Sequence, residues 1–394
     1  MIRSDRLRRF SLICRNGPAP PRQRIEGGAP PESLDGSWPI VLGCLATAAT
    51  FAFAYVGYLI FEDRMPDGFF SIWKRWDTVH YLHIAAEGYG TDEARRRLII
   101  WPPLYPWAIR IATPLVGDPL HAGLLVAFAC YLGTMFLLYR LVALDFPEPV
   151  ARRTILYFTI FPTSYFLHAA YTEAPFVLTV VGAFYAARRG HWAIAGALGG
   201  LAALTRVTWV ALLPALAVEY LIQRDFRLRA IRFDVLYLLL MPLGSGIFLA
   251  VNQAVYGNPF AFLEMAGELN FKEITAPWVG MERVWGLGRS SNPSRFVTIG
   301  VIEVAAGLSA LVAALWSVVR MRSSYATYMV CAWVILGFNS FWLATARYLV
   351  PLFPGFVMLA LWGERRSVHS SICFSFLMLY TMLMILFVRG WWTY

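Results

Sequence analysis

Hydrophobic positions along the chain come in long runs separated by short polar stretches, and many runs approach the ~20 residues needed to cross a bilayer. The pattern predicts about eleven helices, over residues 39–61, 118–143, 154–170, 174–187, 191–205, 208–222, 234–255, 297–319, 325–343, 347–362 and 370–388. The fold class expected is an all-α polytopic membrane protein, with a single membrane-embedded domain over residues 39–394. Residues 1–38 are rich in Pro, Gly and Arg without an apolar period and read as a disordered cytosolic tail. That tail is longer than the basic region of a signal peptide, so the first run reads as a retained span.

Composition agrees with the pattern. Of 394 residues 58% are hydrophobic and 15% charged, with mean hydropathy +0.56, whereas soluble domains carry about 25% charge. The net charge of +10 could suggest a nucleic-acid partner, but the arginines fall in clusters between apolar runs, as the positive-inside rule predicts. Nucleic acid is therefore not expected. An internal N-terminus puts Arg152/Arg153, Arg188/Arg189, Arg224/Arg227/Arg229/Arg232, Arg320/Arg322 and Arg365/Arg366 on the cytosolic side. Two long loops, residues 62–117 and 256–296, then face outward. The first contains a stretch that reads as an amphipathic helix on the membrane surface, broken by Pro102, Pro103 and Pro106. Lys74 and Lys272 are the only lysines among 34 basic residues, a bias of GC-rich genomes, which favours a bacterial plasma membrane over the endoplasmic reticulum of a eukaryote. Of the cysteines, Cys44, Cys130, Cys331 and Cys373 lie in apolar runs and Cys14 in the tail, which excludes a disulfide or zinc framework.

Chemistry concentrates in the outer loops. In WDTVHYLHIAAEGY, residues 76–89, a helix brings Asp77, His80, Ile84 and Glu87 toward one face, with Trp76, Tyr81 and Tyr89 as aromatic surface. Acid beside aromatic suits a sugar, and Asp77 is the candidate base for an acceptor hydroxyl. The plainer alternative is that Asp77 caps the helix or pairs with Arg75. His80, His83 and Glu87 have a spacing that a divalent ion accepts in principle, but surface histidines on an interfacial helix are ordinary. Asp92 and Glu93 are flanked by Arg95, Arg96 and Arg97, which would neutralise them; no metal is indicated.

In FPTSYFLHAAYTEAPF, residues 161–176, Tyr171, Thr172 and Glu173 interrupt two apolar runs. An acid at that depth is a functional candidate by default, although Glu173 with Pro175 could merely start the next helix. Arg206 and Arg347 stand at outer ends of spans, against the positive-inside bias, and a phosphate at the membrane surface would explain them. Snorkelling toward headgroups is the alternative. His168 and Glu303, inside spans, read as internal hydrogen-bonding partners.

Taken in order, these residues resemble the PIG-V-like mannosyltransferases, the family of the enzyme that adds the second mannose in GPI-anchor synthesis. The resemblance runs from about residue 70 to 360. Its matching stretches are WD-x-x-x-Y-x-x-IA-x-x-GY at Trp76–Tyr89, P-L-Y-P at Pro103–Pro106, and FPTSYF with YTE at Phe161–Glu173. LTR at Leu204–Arg206, NPFAF at Asn258–Phe262, PW at Pro277–Trp278 and ARYLVPLFP at Ala346–Pro354 follow. Pro102, where the family has an aromatic residue, and His80, at a variable position, depart from the pattern. The resemblance implies a GT-C-like membrane fold with catalytic outer loops. It also implies a polyprenyl-phosphate sugar donor, often of mannose, a lipid or glycan acceptor, and inversion with Asp77 as general base. No cofactor is required. Glu173 is the second catalytic candidate, and Trp76, His80, Tyr81, Tyr105, Tyr171, Arg206, Arg347 and Tyr348 are the expected substrate contacts. A multispan transporter or flippase is the competing class; it predicts charged or broken elements near mid-membrane and internal repeats, and no repeat is evident.

Overall fold

The computed structural model describes residues 36–62, 65–268, 273–290 and 293–391, so all but the end of the expected tail lies outside the described residues. Ser37 and Trp38, assigned to the tail from sequence, already belong to the first helix, α1 (Ser37–Phe61). A helix follows within every one of the eleven expected spans. These are α4 (Pro119–Val142), α5 (Glu148–Ile160), α6 (Glu173–Arg188), α7 (Trp192–Ala203), α8 (Leu212–Ile222) and α9 (Leu240–Tyr256), then α12 (Ile302–Arg320), α13 (Ser323–Gly337), α14 (Phe353–Trp362) and α15 (Arg366–Val388). The two long connecting segments contribute α2 (Asp77–Glu87), α3 (Leu104–Val116), α10 (Ala261–Glu268) and α11 (Pro277–Arg289). Five helices among the described residues are long and apolar enough to cross a membrane, and four shorter apolar ones accompany them.

Several boundaries differ from the expectation, and proline explains the largest differences. Residues 154–170 are not one helix. α5 ends at Ile160, before Phe161-Pro162, because the residue preceding a proline is pushed out of helical geometry. The chain then runs through a short 3-10 turn, Ser164–Leu167, to α6. Non-helical backbone at membrane depth is tolerated only where protein covers it, and every residue from Thr163 to Thr172 is buried. Likewise residues 347–362 divide at Pro351 into a turn, Thr345–Tyr348, and α14. The three prolines of the first long connecting segment do more than break a helix. Pro103 precedes α3 and Pro106 sits in its first turn, where a proline costs no hydrogen bond. α3 lays Tyr105 and Ile109 inward and leaves Trp107, Ile111 and Leu115 exposed at i, i+4 and i+8, the geometry of an interfacial helix.

Close packing comes from small residues. Gly200 of α7 meets Gly244 of α9 so tightly that a Cβ on Gly244 would lie 2.2 Å from the Gly200 carbonyl oxygen. α2 rests on α3 and α4, beneath which Tyr81, Tyr105, Phe166, Tyr171 and Phe387 form a buried aromatic cluster. That cluster is the floor of the site.

Candidate active site

Trp76 enters α2 with φ +48°, a backbone region that bulky residues seldom adopt. The kink makes Asp77 the first residue of the helix. Two contacts hold the approach: the Arg75 Nε donates to the Val388 carbonyl at 2.9 Å, and the Tyr171 hydroxyl donates to the Arg75 carbonyl at 3.3 Å. Arg75 is thus not the partner of Asp77. Instead the Arg347 Nη1 donates to Asp77 Oδ2 at 2.9 Å, joining residues 270 positions apart.

Arg347 reaches further. Its Nε lies 2.9 Å from Glu173 Oε1, and the Arg206 Nη1 donates to that same oxygen and to Thr172 Oγ1 at 3.1 Å. The Tyr81 hydroxyl lies 3.3 Å from the Thr172 hydroxyl. Aromatic faces line both guanidinium groups: Arg206 sits 4.6 Å from the Tyr348 ring centre, and Arg347 5.3 Å from Phe166 and from Tyr171. The order Asp77–Arg347–Glu173–Arg206 is therefore a chain of alternating charge, two acids and two arginines, within an aromatic cage. Glu173 is fully buried, and the arginines are 7–8% exposed, so neither arginine snorkels. Asp77, with its side chain 22% exposed, is the most accessible of the four. The Glu173 Oε2 is buried without a hydrogen-bond partner among the described residues, although a buried carboxylate oxygen ordinarily has one.

The other expected contacts lie around this chain at different depths. Tyr348 and Tyr171 belong to the cage. Tyr105 stands behind Tyr81, its ring edge-on at 5.4 Å and its hydroxyl donating to the Gly123 carbonyl at 2.9 Å; it supports Tyr81 from within the core. Trp76 is 37% exposed beside Asp77. His80, a turn further along α2, stacks on Trp101 at 4.3 Å. Burial there pushes its pKa below the ordinary value, more than the Asp77 carboxylate pulls it up. His83 pairs instead with Glu87 at 3.2 Å, so the two histidines face different partners, and no cluster of three metal-ligating side chains occurs among the described residues. Asp92 is engaged by Arg95 at 2.5 Å, as its flanking arginines suggested.

Two features lie outside the expected set of site residues. Glu303, expected as an internal hydrogen-bonding partner, accepts the backbone N–H groups of Ala344 and Ala346, directly before Arg347. A second four-charge cluster, Asp145, Arg188, Glu219 and Arg322, occupies the opposite end of α6. Glu219 interrupts an apolar run just as Glu173 does, and that signal could have found it.

Residues 101–251, under half of the chain, match the family described as dolichyl-phosphate-mannose-protein mannosyltransferase. The matched stretch contains Tyr105, Tyr171, Glu173 and Arg206 but neither Asp77 nor Arg347. Among solved structures, the crystal structure of ArnT from Cupriavidus metallidurans bound to undecaprenyl phosphate is similar at TM-score 0.51 and 15% identity. The similarity covers 88% of this chain and 72% of that one, and it shows a shared GT-C fold. No curated protein matches.

Proposed function

We propose that this chain is a GT-C-type glycosyltransferase that moves a sugar, mannose in the PIG-V-like reading, from a polyprenyl-phosphate donor to an acceptor hydroxyl, with inversion. The observation that carries the reading is the alternating chain Asp77–Arg347–Glu173–Arg206. Two further points support the donor class: the matched family description names dolichyl phosphate mannose, and the similar crystal structure is of a protein bound to undecaprenyl phosphate. Both are polyprenyl phosphates.

The chemistry follows from charge. The acceptor oxygen attacks the anomeric carbon from the face opposite the phosphate, and the C–O bond to phosphate breaks with its electron pair. The lipid phosphate departs with one more negative charge than the donor carried, and the acceptor proton passes to Asp77. Asp77 loses a charge as the phosphate gains one, so Arg347 exchanges one anionic partner for another while remaining paired. A guanidinium that strengthens its hold on the phosphate as charge develops stabilises the transition state more than the ground state. Before donor arrives, the same guanidinium holds Asp77; a phosphate that competes for it frees the base only when there is a donor to attack. Glu173, sharing Oε1 between both arginines, is the positioning carboxylate, and Arg206 with Arg347 forms the phosphate-binding pair. Trp76, His80 and Trp101 offer aromatic surface to a sugar beside the base. The transporter alternative expects charge at mid-span, whereas both four-charge clusters lie at ends of α6.

The test is donor use by the full chain in lipid nanodiscs. Release of polyprenyl phosphate from polyprenyl-phosphate mannose in the presence of glycan or lipid acceptors, with no consumption of GDP-mannose, is the expected result. Consumption of the nucleotide sugar, or movement of lipid across vesicles without cleavage of the sugar–phosphate bond, would overturn the reading.

A further inference from the structure

Arg347 does its work from an unusual support. It lies in the short turn Thr345–Tyr348, entered through Ala344 in the left-handed region with φ +67° and ψ +15°. An alanine there carries a steric cost that glycine would not, so something must hold the turn. Two of its hydrogen bonds come from one side chain. Glu303, fully buried in α12, accepts the Ala344 N–H on Oε1 at 3.0 Å and the Ala346 N–H on Oε2 at 2.9 Å. Both carboxylate oxygens are spent on backbone on either side of Thr345. The same segment is held again from α5's exit, where Thr163 Oγ1 donates to the Ala346 carbonyl at 2.9 Å, and from within, where Thr345 Oγ1 donates to the Trp342 carbonyl at 2.8 Å. α12 itself begins after a π-helical stretch, Phe296–Val301, an irregularity that shifts side-chain register and recurs at functional sites.

We infer that Glu303 is a positioning residue: by clamping the Ala344–Ala346 backbone it fixes the direction of the Arg347 guanidinium toward Asp77, Glu173 and the donor phosphate. The inference rests on the assignment of Arg347 to the donor phosphate. A buried acid needs a compensating set of hydrogen bonds, and those of Glu303 go to the backbone of this turn. A hydrophobic residue would fill the space more cheaply, but it would leave two buried N–H groups unpaired and a strained turn free to relax. Its effect on the reaction passes through Arg347, and that makes it distinguishable from ordinary core packing.

Glu303→Gln retains shape but keeps one acceptor oxygen, and sets an amide NH₂ against the second N–H. In the full chain in nanodiscs, binding of radiolabelled undecaprenyl phosphate and the KM for donor should weaken roughly 10–10²-fold, the cost of about 1 Å of misplacement. The double variant Glu303→Gln/Arg347→Gln should bind no worse than Arg347→Gln alone, because a residue that acts through another is not additive with it. Thr163→Val, which loosens the same turn from the other side, should show a smaller loss, also absorbed by Arg347→Gln, and serves if Glu303→Gln does not fold. Parent-like lipid binding in the single variants, or additive losses in the double variants, would overturn the inference. Asp77→Asn assayed beside them separates the two levels. If it transfers sugar normally, the proposed reaction fails; if it is inactive while Glu303→Gln matches the parent, only the role of Glu303 fails.

Discussion

A cluster of two acids and two arginines sits at each end of α6, and the two clusters are built to opposite standards. Glu173 is its first residue and Arg188 its last, about 22 Å apart at 1.5 Å per residue. At the Arg188 end every carboxylate oxygen is satisfied. Asp145 Oδ1 accepts from Arg188 Nη2 at 2.7 Å and Oδ2 from the Tyr325 hydroxyl at 3.0 Å. Glu219 Oε1 accepts from Arg322 Nη2 at 2.8 Å and Gln223 Nε2 at 2.9 Å. Its Oε2 accepts from Arg322 Nε and Ser324 Oγ, both at 2.7 Å. At the Glu173 end both arginines crowd onto Oε1, Oε2 is left without a hydrogen bond among the described residues, and the adjoining backbone is strained at Trp76 and Ala344. The lesson is that charge count does not separate a clamp from a site; saturation does. A saturated network ties α6, α8 and α13 together, whereas an under-satisfied one is ready to take another partner.

This contrast can be broken by mutation. The largest effect on stability should come from the saturated end: Glu219→Ala strips half-buried Arg322 of its acid and leaves Arg188 with Asp145 alone, a loss on the order of 3 kcal/mol, the low end for a broken buried pair. It should appear as reduced yield and melting temperature, with the surviving folded fraction binding lipid donor normally. Arg347→Gln should weigh chiefly on binding, weakening it by roughly 10–10²-fold with a smaller fall in melting temperature than Glu219→Ala because Arg206 still pairs with Glu173, and lysine should restore only part because it lacks the planar fork. Topology is the third test and leaves function untouched. With the native cysteines replaced, Ser290→Cys and Glu93→Cys should react with an impermeant thiol reagent on intact cells, and Ser323→Cys only after lysis. The opposite pattern would place the Asp77 cluster in the cytosol and remove the rationale for a lipid-linked donor.

Each member of the Asp77 cluster was legible singly, because a charged residue at the edge of an apolar run is visible in sequence. Their pairing was not: Asp77 and Arg347 meet only after the helices between them have packed. The positive-inside rule conceals the second cluster, since it accounts for Arg188 and Arg322 by topology alone. The spans were readable from hydropathy, but their ends were set by Pro162 and Pro351, and the buried non-helical stretch 163–172 keeps the same apolar composition as a helix. Glu303 is legible in sequence as an internal hydrogen-bonding partner but not as the support of Arg347, since nothing local marks an acid whose partners are backbone groups some 40 residues away.

The central claim is that Asp77 takes the acceptor proton, and Asp77→Asn tests it most directly, with transfer rate and lipid-phosphate binding measured on one preparation. Asparagine keeps the shape and the hydrogen bond to Arg347, yet does not take up a proton at neutral pH. The account predicts a fall in transfer of roughly 10²-fold or more with lipid binding retained. Near-normal transfer by this variant, set against abolition by Glu173→Gln, would contradict it and move the base to the start of α6.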